Sequence, residues 1–183
     1  MGLGGDRVLI VAGEASADAH AAALVGELKI LRPGVNVFGL GGEKLAAAGA
    51  RLLWDFSKVG VVGITEIVPA LPSFYCAYRA LLAEVREQKP DAAILVDLPD
   101  FNLFLAGRIR KVSPATKIIY YISPQVWAWR KWRVKKIARR ADAMLALFPF
   151  EEAIFREAGM DVEFVGHPLR DTVRPSASRD DGG

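Results

Sequence analysis

The chain has 183 residues, 52% of them hydrophobic and 25% charged, with one cysteine and a formal net charge of +3. This is the make-up of one globular domain with a sizeable core, and it excludes a disordered chain, a collagen-like repeat and a disulfide-stapled fold. Cys76 stands alone, which points to a reducing compartment, and no apolar run approaches the ~20 residues that span a bilayer.

In chain order, short aliphatic runs alternate with helical patterns, the signature of βαβ units and a parallel sheet. The expected strands are Val8–Ala12, Val35–Leu40, Ala92–Val96, Lys117–Ile122, Ala143–Leu147 and Val162–Val165. Several lack alternation, as strands covered on both faces do. The expected helices are Ala17–Leu31, closed by Pro33 and Gly34, then Ser73–Gln88, Asn102–Val112, Trp129–Ala141 and Glu151–Ala158, the last ended by Gly159. No internal repeat and no secretory signal are visible, and the PSASRDDGG end, residues 175–183, reads as a disordered polar tail after one α/β domain over 1–174.

In an open parallel sheet, ligands bind outside the carboxyl ends of the strands. Polar residues crowd that edge here: Glu14, Ser16 and Asp18 after the first strand, then Gly41, Gly42 and Glu43, then Asp97, Asp100 and Asn102. Ser123, Gln125, Glu151 and His167 follow the last three strands. Ser16 or Asp18 taken singly also suits a helix cap. Lys44 breaks the dinucleotide fingerprint that Gly39 and Gly41 begin, and no phosphate loop occurs, so neither NAD nor ATP is assigned. Gly41 and Gly42 fit a turn that lets amides approach a polar ligand, or a purely structural turn.

Asp97 follows a fully apolar strand and precedes Leu98 and Pro99. A partly desolvated carboxylate there suits a general base that takes a proton from a substrate hydroxyl, while capping the following helix or accepting amides from the loop is the competing reading. Asp100 is the expected cap of the helix that begins near Asn102.

Two stretches stand out. Trp129–Arg140 carries seven basic residues and no acid, which leaves the remainder with 17 basic against 21 acidic residues. With Trp127, Trp129 and Trp132 interleaved, it suits single-stranded nucleic acid, an anionic headgroup or a sugar phosphate, or else a solvated helix with Val134, Ile137, Ala138 and Ala141 toward the core. Val59–Tyr75 is almost uncharged and contains Pro69 and Pro72, so a kinked amphipathic segment is expected in place of a long helix, against a membrane or a partner domain.

Together these stretches resemble the N-terminal half of the lipid-A-disaccharide synthase family. The resemblance rests on VAGEASAD (Val11–Asp18), FGLGGEKLAAAG (Phe38–Gly49), VGVVGITEIV (Val59–Val68), VDLPDFN (Val96–Asn102), YYISPQVWAWRKWRVKKI (Tyr120–Ile137), LFPFE (Leu147–Glu151) and FVGHPLRD (Phe164–Asp171). One departure is Ala17, where the family usually has Gly. The resemblance implies the N-terminal Rossmann-like domain of a GT-B glycosyltransferase, with helices on both faces of a parallel sheet. It implies condensation of UDP-2,3-diacylglucosamine with 2,3-diacylglucosamine 1-phosphate (lipid X), with inversion, release of UDP, no cofactor and no metal. Asp97 then matches the base for the acceptor hydroxyl. Substrate contacts are expected from Glu14, Ser16, Asp18, Gly41, Gly42, Asp100, Asn102, Ser123, Gln125, Trp127 and His167. Ile67, Val68, Leu71, Phe74 and Tyr75 match a patch that meets the inner membrane of a Gram-negative bacterium and its acyl chains, with Arg130, Arg133 and Lys136 against anionic lipid and no nucleic acid as partner. The family's second, donor-binding domain normally follows the FVGHPL segment, so this chain is expected to be a cytoplasmic, membrane-associated fragment with little activity alone. The rival expectation is a non-catalytic membrane or nucleic-acid binding module that uses the basic helix.

Overall fold

A computed structural model of the chain describes residues 6–56, 67–123 and 132–168, with the side chains of 67–73 and 132 excepted. The elements run β1 (Arg7–Ala12), α1 (Ala15–Leu31), β2 (Asn36–Gly41), α2 (Glu43–Ala47), β3 (Arg51–Asp55), α3 (Ile67–Gln88), β4 (Ala92–Val96), α4 (Pro99–Val112), β5 (Lys117–Tyr121), α5 (Trp132–Ala138), β6 (Ala143–Ala146), α6 (Pro149–Glu157) and β7 (Asp161–Phe164). All seven strands are parallel in the order β3-β2-β1-β4-β5-β6-β7, so the direction of travel reverses between β1 and β4.

Both faces of the sheet are buried, which makes the central strands apolar throughout. Leu9, Val11, Phe38 and Leu95 pack with Leu81 and Val85 of α3, Ile109 of α4, Ile137 of α5 and Phe155 of α6. Alternate residues of the same strands, Val8, Ile10, Ile94 and Val96, pack on the other face with Ala21 and Val25 of α1 and Leu45 of α2. This is an α/β Rossmann-like fold, as the alternation of runs and helices predicts.

The six expected strands form within a residue of their expected ends, and Gly159 takes a left-handed φ of +80° just past α6, which lets the chain leave the helix. The structure adds two elements to those expected and lengthens a third. β3 and α2 escape the pattern because β3 is a half-buried edge strand with no fully apolar run and α2 has five residues, one of them buried. α3 begins at Ile67, ahead of the expected Ser73, and contains both Pro69 and Pro72. Pro69 lies among the first four residues of the helix, whose amides lack an intrahelical acceptor in any case, so it forfeits nothing there. The helix over Trp129–Ala141 is described from Trp132 to Ala138, and the polar tail lies outside the described residues.

Gly39 is required by close approach. A Cβ at this position would stand 1.8 Å from the carbonyl oxygen of Ile10 on β1, and φ is +153°. The β2–β3 register shifts between Gly39 and Leu40, so the irregularity sits where the backbone crowds its neighbour.

Candidate active site

The reversal of strand order places the ends of β1 and β4 side by side, with Ala12 paired to Val96. Immediately beyond them come Gly13 and Glu14 on one side and Asp97 and Leu98 on the other. The backbone is strained at this edge: Asp97 and Leu98 have φ of +47° and +44°, and Ile122 at the end of β5 has +67°. Left-handed conformations of non-glycine residues cost roughly 1–3 kcal/mol each and persist where the surroundings enforce them, which happens most at functional sites.

Asp97 is half-buried. Burial and then the negative charge of Glu14 push its carboxyl above the ordinary carboxylate range, against a smaller pull from the amide of Leu98. Such a carboxylate is a better proton acceptor than an exposed one. The capping reading of Asp97 is not realised: α4 begins at Pro99, its cap position is Leu98, and no side chain caps it. The expectation that Asp100 caps this helix fails for the same reason, since Asp100 lies inside the first turn. Its exposed carboxylate accepts from Arg133, whose guanidinium is buried, at 2.6 Å.

Glu14 holds the position before α1 and is exposed, with its carboxylate accepting from Ser16 Oγ. Asp18 is buried and turned away from solvent. Its two oxygens accept the amides of Gly42 (2.7 Å), Lys44 (3.0 Å) and Leu45 (3.2 Å), so it caps α2 from the neighbouring helix. The polar group approached by the glycine turn is thus the protein's own carboxylate. A Cβ on Gly42 would lie 2.9 Å from Asp18 Oδ2, and one on Gly41 2.4 Å from Leu45 Cδ2. Asn102 is fully buried and its amide donates to the carbonyls of Asp97 (2.6 Å) and Val96 (3.2 Å).

Ser123 is buried at the end of β5, whereas Gln125, Trp127 and Arg130 lie outside the described residues. His167, beyond β7, lies tilted against Phe148 at 5.8 Å and meets His20 of α1 edge-on at 6.5 Å. Burial and the neighbouring His167 lower the pKa of His20, which favours its neutral form. Sequence reasoning missed His20 and Tyr120. The hydroxyl of the fully buried Tyr120 donates to the carbonyl of Asp97 at 2.7 Å, a contact that only the β4–β5 pairing reveals. Glu151, at the start of α6, accepts the amides of Leu147 and Phe148.

The basic helix keeps its apolar side in the core, with Val134, Ile137 and Ala141 buried. Arg133 faces inward to Asp100, Lys136 is half-buried and Lys135 exposed. On α3 and α4 an aromatic band lies at the surface: Phe74 against Phe101 (5.9 Å), Tyr78 between Tyr75 (6.4 Å) and Phe104 (5.0 Å). Arg79 and Arg108 lie over the rings of Tyr75 and Phe104. The side chains of Ile67, Val68 and Leu71 are outside the description. Among the described residues no helix is long and apolar enough to cross a membrane, and no group of three side chains could hold a metal ion.

The sequence profile of the lipid-A-disaccharide synthetase family matches residues 8–182. The chain is 48% identical over 167 residues to the lipid-A-disaccharide synthase of Myxococcus xanthus (strain DK1622), which covers 91% of this chain and 43% of that protein. It is 48% identical over 173 residues to the synthase of Geobacter metallireducens, covering 94% and 44%, and 49% identical over 163 residues to lipid-A-disaccharide synthase 1 of Legionella pneumophila (strain Paris), covering 89% and 42%. It therefore spans less than half the length of these relatives. The match to this family leaves the reading of a non-catalytic nucleic-acid or membrane binding module without support. Matched from β1 past β7, the chain belongs to the lipid-A-disaccharide synthetase family.

Proposed function

We propose that the chain forms the acceptor side of an inverting glycosyltransferase of GT-B type, which joins UDP-2,3-diacylglucosamine to lipid X and releases UDP. The observation that carries this reading is Asp97: a carboxylate of raised basicity, set in a left-handed turn where the strand order reverses, in a chain of this family. Asp97 takes the proton of the acceptor 6-hydroxyl as that oxygen attacks the anomeric carbon from the face opposite UDP. The leaving diphosphate carries away the bonding electron pair, and inversion follows from the single displacement. No metal or cofactor enters this reading. The negative charge of Glu14 beside the base adds to its basicity. The aromatic band of α3 and α4, with Arg79 and Arg108 over its rings, supports a seat at the cytoplasmic face of a Gram-negative inner membrane, where aromatic rings and flanking arginines favour the headgroup layer.

Donor binding is assigned to the portion of the relatives that this chain does not span, so the 183-residue chain alone is expected to show no turnover. Residues 1–168 fused to that portion of the Myxococcus xanthus relative should transfer sugar from UDP-2,3-diacylglucosamine to lipid X, and Asp97→Asn in the fusion should abolish transfer with the fold intact. Normal rates in the Asn variant would remove Asp97 from the role.

A further inference from the structure

The turn after β4 is held from behind by two buried side chains. The carbonyl oxygen of Asp97 accepts two bonds, from Asn102 Nδ2 at 2.6 Å and from the Tyr120 hydroxyl at 2.7 Å, and both donors belong to residues with no exposed surface. Asn102 also donates to the carbonyl of Val96, the last residue of β4, so one amide spans the junction between strand and turn. Asp97 and Leu98 are both left-handed, two successive conformations that are uncommon outside glycine and costliest for Leu98. The restraint comes from two different elements, since Tyr120 lies on β5 directly beside Leu95 and Asn102 lies in the first turns of α4.

We propose that Tyr120 and Asn102 are positioning residues for Asp97: by holding its carbonyl they fix the left-handed turn and thereby the place of its carboxyl group. The proposal rests on the reading of Asp97 as the base but makes a statement about the chain that needs no turnover to check. Tyr120 is suited to this work because burial and the neighbouring Asp97 keep its hydroxyl protonated across the working pH range, so it always donates. Asn102 contributes two bonds donated by its side-chain nitrogen, and among the described residues its Oδ1 finds no donor. If the clamp is released, the turn relaxes toward ordinary backbone angles, and the carboxyl group moves toward water and away from Glu14. Glu14 faces the carboxyl from the start of α1, and Asp100 and Arg133 border Tyr120, so these three are left unchanged in every variant.

The test is a carbon-13 titration of the Asp97 carboxyl in the 183-residue chain, in wild type, Tyr120→Phe and Asn102→Leu. In whichever variants keep a dispersed amide spectrum, the Asp97 midpoint is expected to fall toward the ordinary carboxylate range while the Asp142 midpoint stays in place. An Asp97 midpoint equal to wild type in a folded variant overturns the proposal. The unmodified chain supplies a check that survives failure of both variants: exchange of the Tyr120 hydroxyl proton for deuterium should shift the Asp97 carbonyl carbon, and no shift there overturns the contact. Should Asp97→Asn leave transfer intact in the fusion, the reading of Asp97 as base fails, whereas the titration result judges the clamp by itself.

Discussion

Asp18 Oδ1 accepts the amide of Gly42 at 2.7 Å, and through this bond the first helix supplies the cap that the second lacks. The other oxygen takes the amide of Lys44, so removing the carboxylate strands several buried donors at once. Asp18→Ala is expected to lower stability by about 1–3 kcal/mol, read as a lower midpoint in urea unfolding. An unchanged midpoint would show that these amides find other partners.

Two glycines should respond in opposite directions to the same substitution. Gly39→Ala sets a methyl 1.8 Å from the Ile10 carbonyl and is expected to cost about 3 kcal/mol or more, seen as loss of soluble folded protein. Gly26 lies inside α1 with nothing within 4 Å of a built Cβ, so Gly26→Ala should stabilise by roughly 0.5–1 kcal/mol and raise the melting temperature. A neutral Gly39→Ala would contradict the described approach of β2 to β1.

Asp97 and Asp142 give opposite pH signatures. Asp97 has a raised pKa, so the folded state holds its proton longer and stability declines as pH rises from the unfolded value through the folded one. Asp97→Asn lacks that decline, and its stability relative to wild type should grow between acid and neutral pH. Asp142 is lowered: burial opposes the shift, but the amide of Ile118 and then Arg110, each at 2.7 Å, prevail. Its contribution is present above the unfolded value and is lost as pH falls through the folded one, so Asp142→Asn should be less stable than wild type at neutral pH and converge with it in acid. Urea midpoints across pH 2.5–8 test both signs, and parallel curves for the two variants would refute the assignment.

The aromatic band predicts a surface effect. Tyr75 is 59% and Phe104 50% exposed, each under an arginine. Tyr75→Ser with Phe104→Ser should reduce flotation with anionic liposomes several-fold while leaving the melting temperature within about 2 °C, as exposed substitutions usually do. Equal flotation would take the band out of the membrane reading.

Legibility in the sequence followed burial. The strands around the centre were readable because both faces are covered and their residues are apolar without exception, Val8–Ala12 and Ala92–Val96 above all. β3 carries its apolar residues half-buried at an edge, and α2 is too short to show a period, so neither left a pattern. Pro69 of α3 reads as a breaker although a proline in a first turn gives up no helical bond, and nothing in the structure explains Pro72, sixth in the helix. At the site, Asp97 was visible from its place after a hydrophobic run. The duties of Asp18 and Asp100 are not, because each is decided by a partner distant in the chain, Gly42 and Arg133; that of Asn102 depends on the left-handed turn five residues before it, which no residue type in the run announces.

The adjacency of β1 and β4 bears also on how the molecule assembles. Glu14 and Asp97 come together only when a strand near the start of the chain closes against one made long after it, with β2 and β3, which come between them in the chain, set to one flank of the sheet. Closing so long a loop is the slow kind of contact in folding. Until the β1–β4 ladder closes, Glu14 and Asp97 are held apart, so the repulsion between them is met only as that ladder forms.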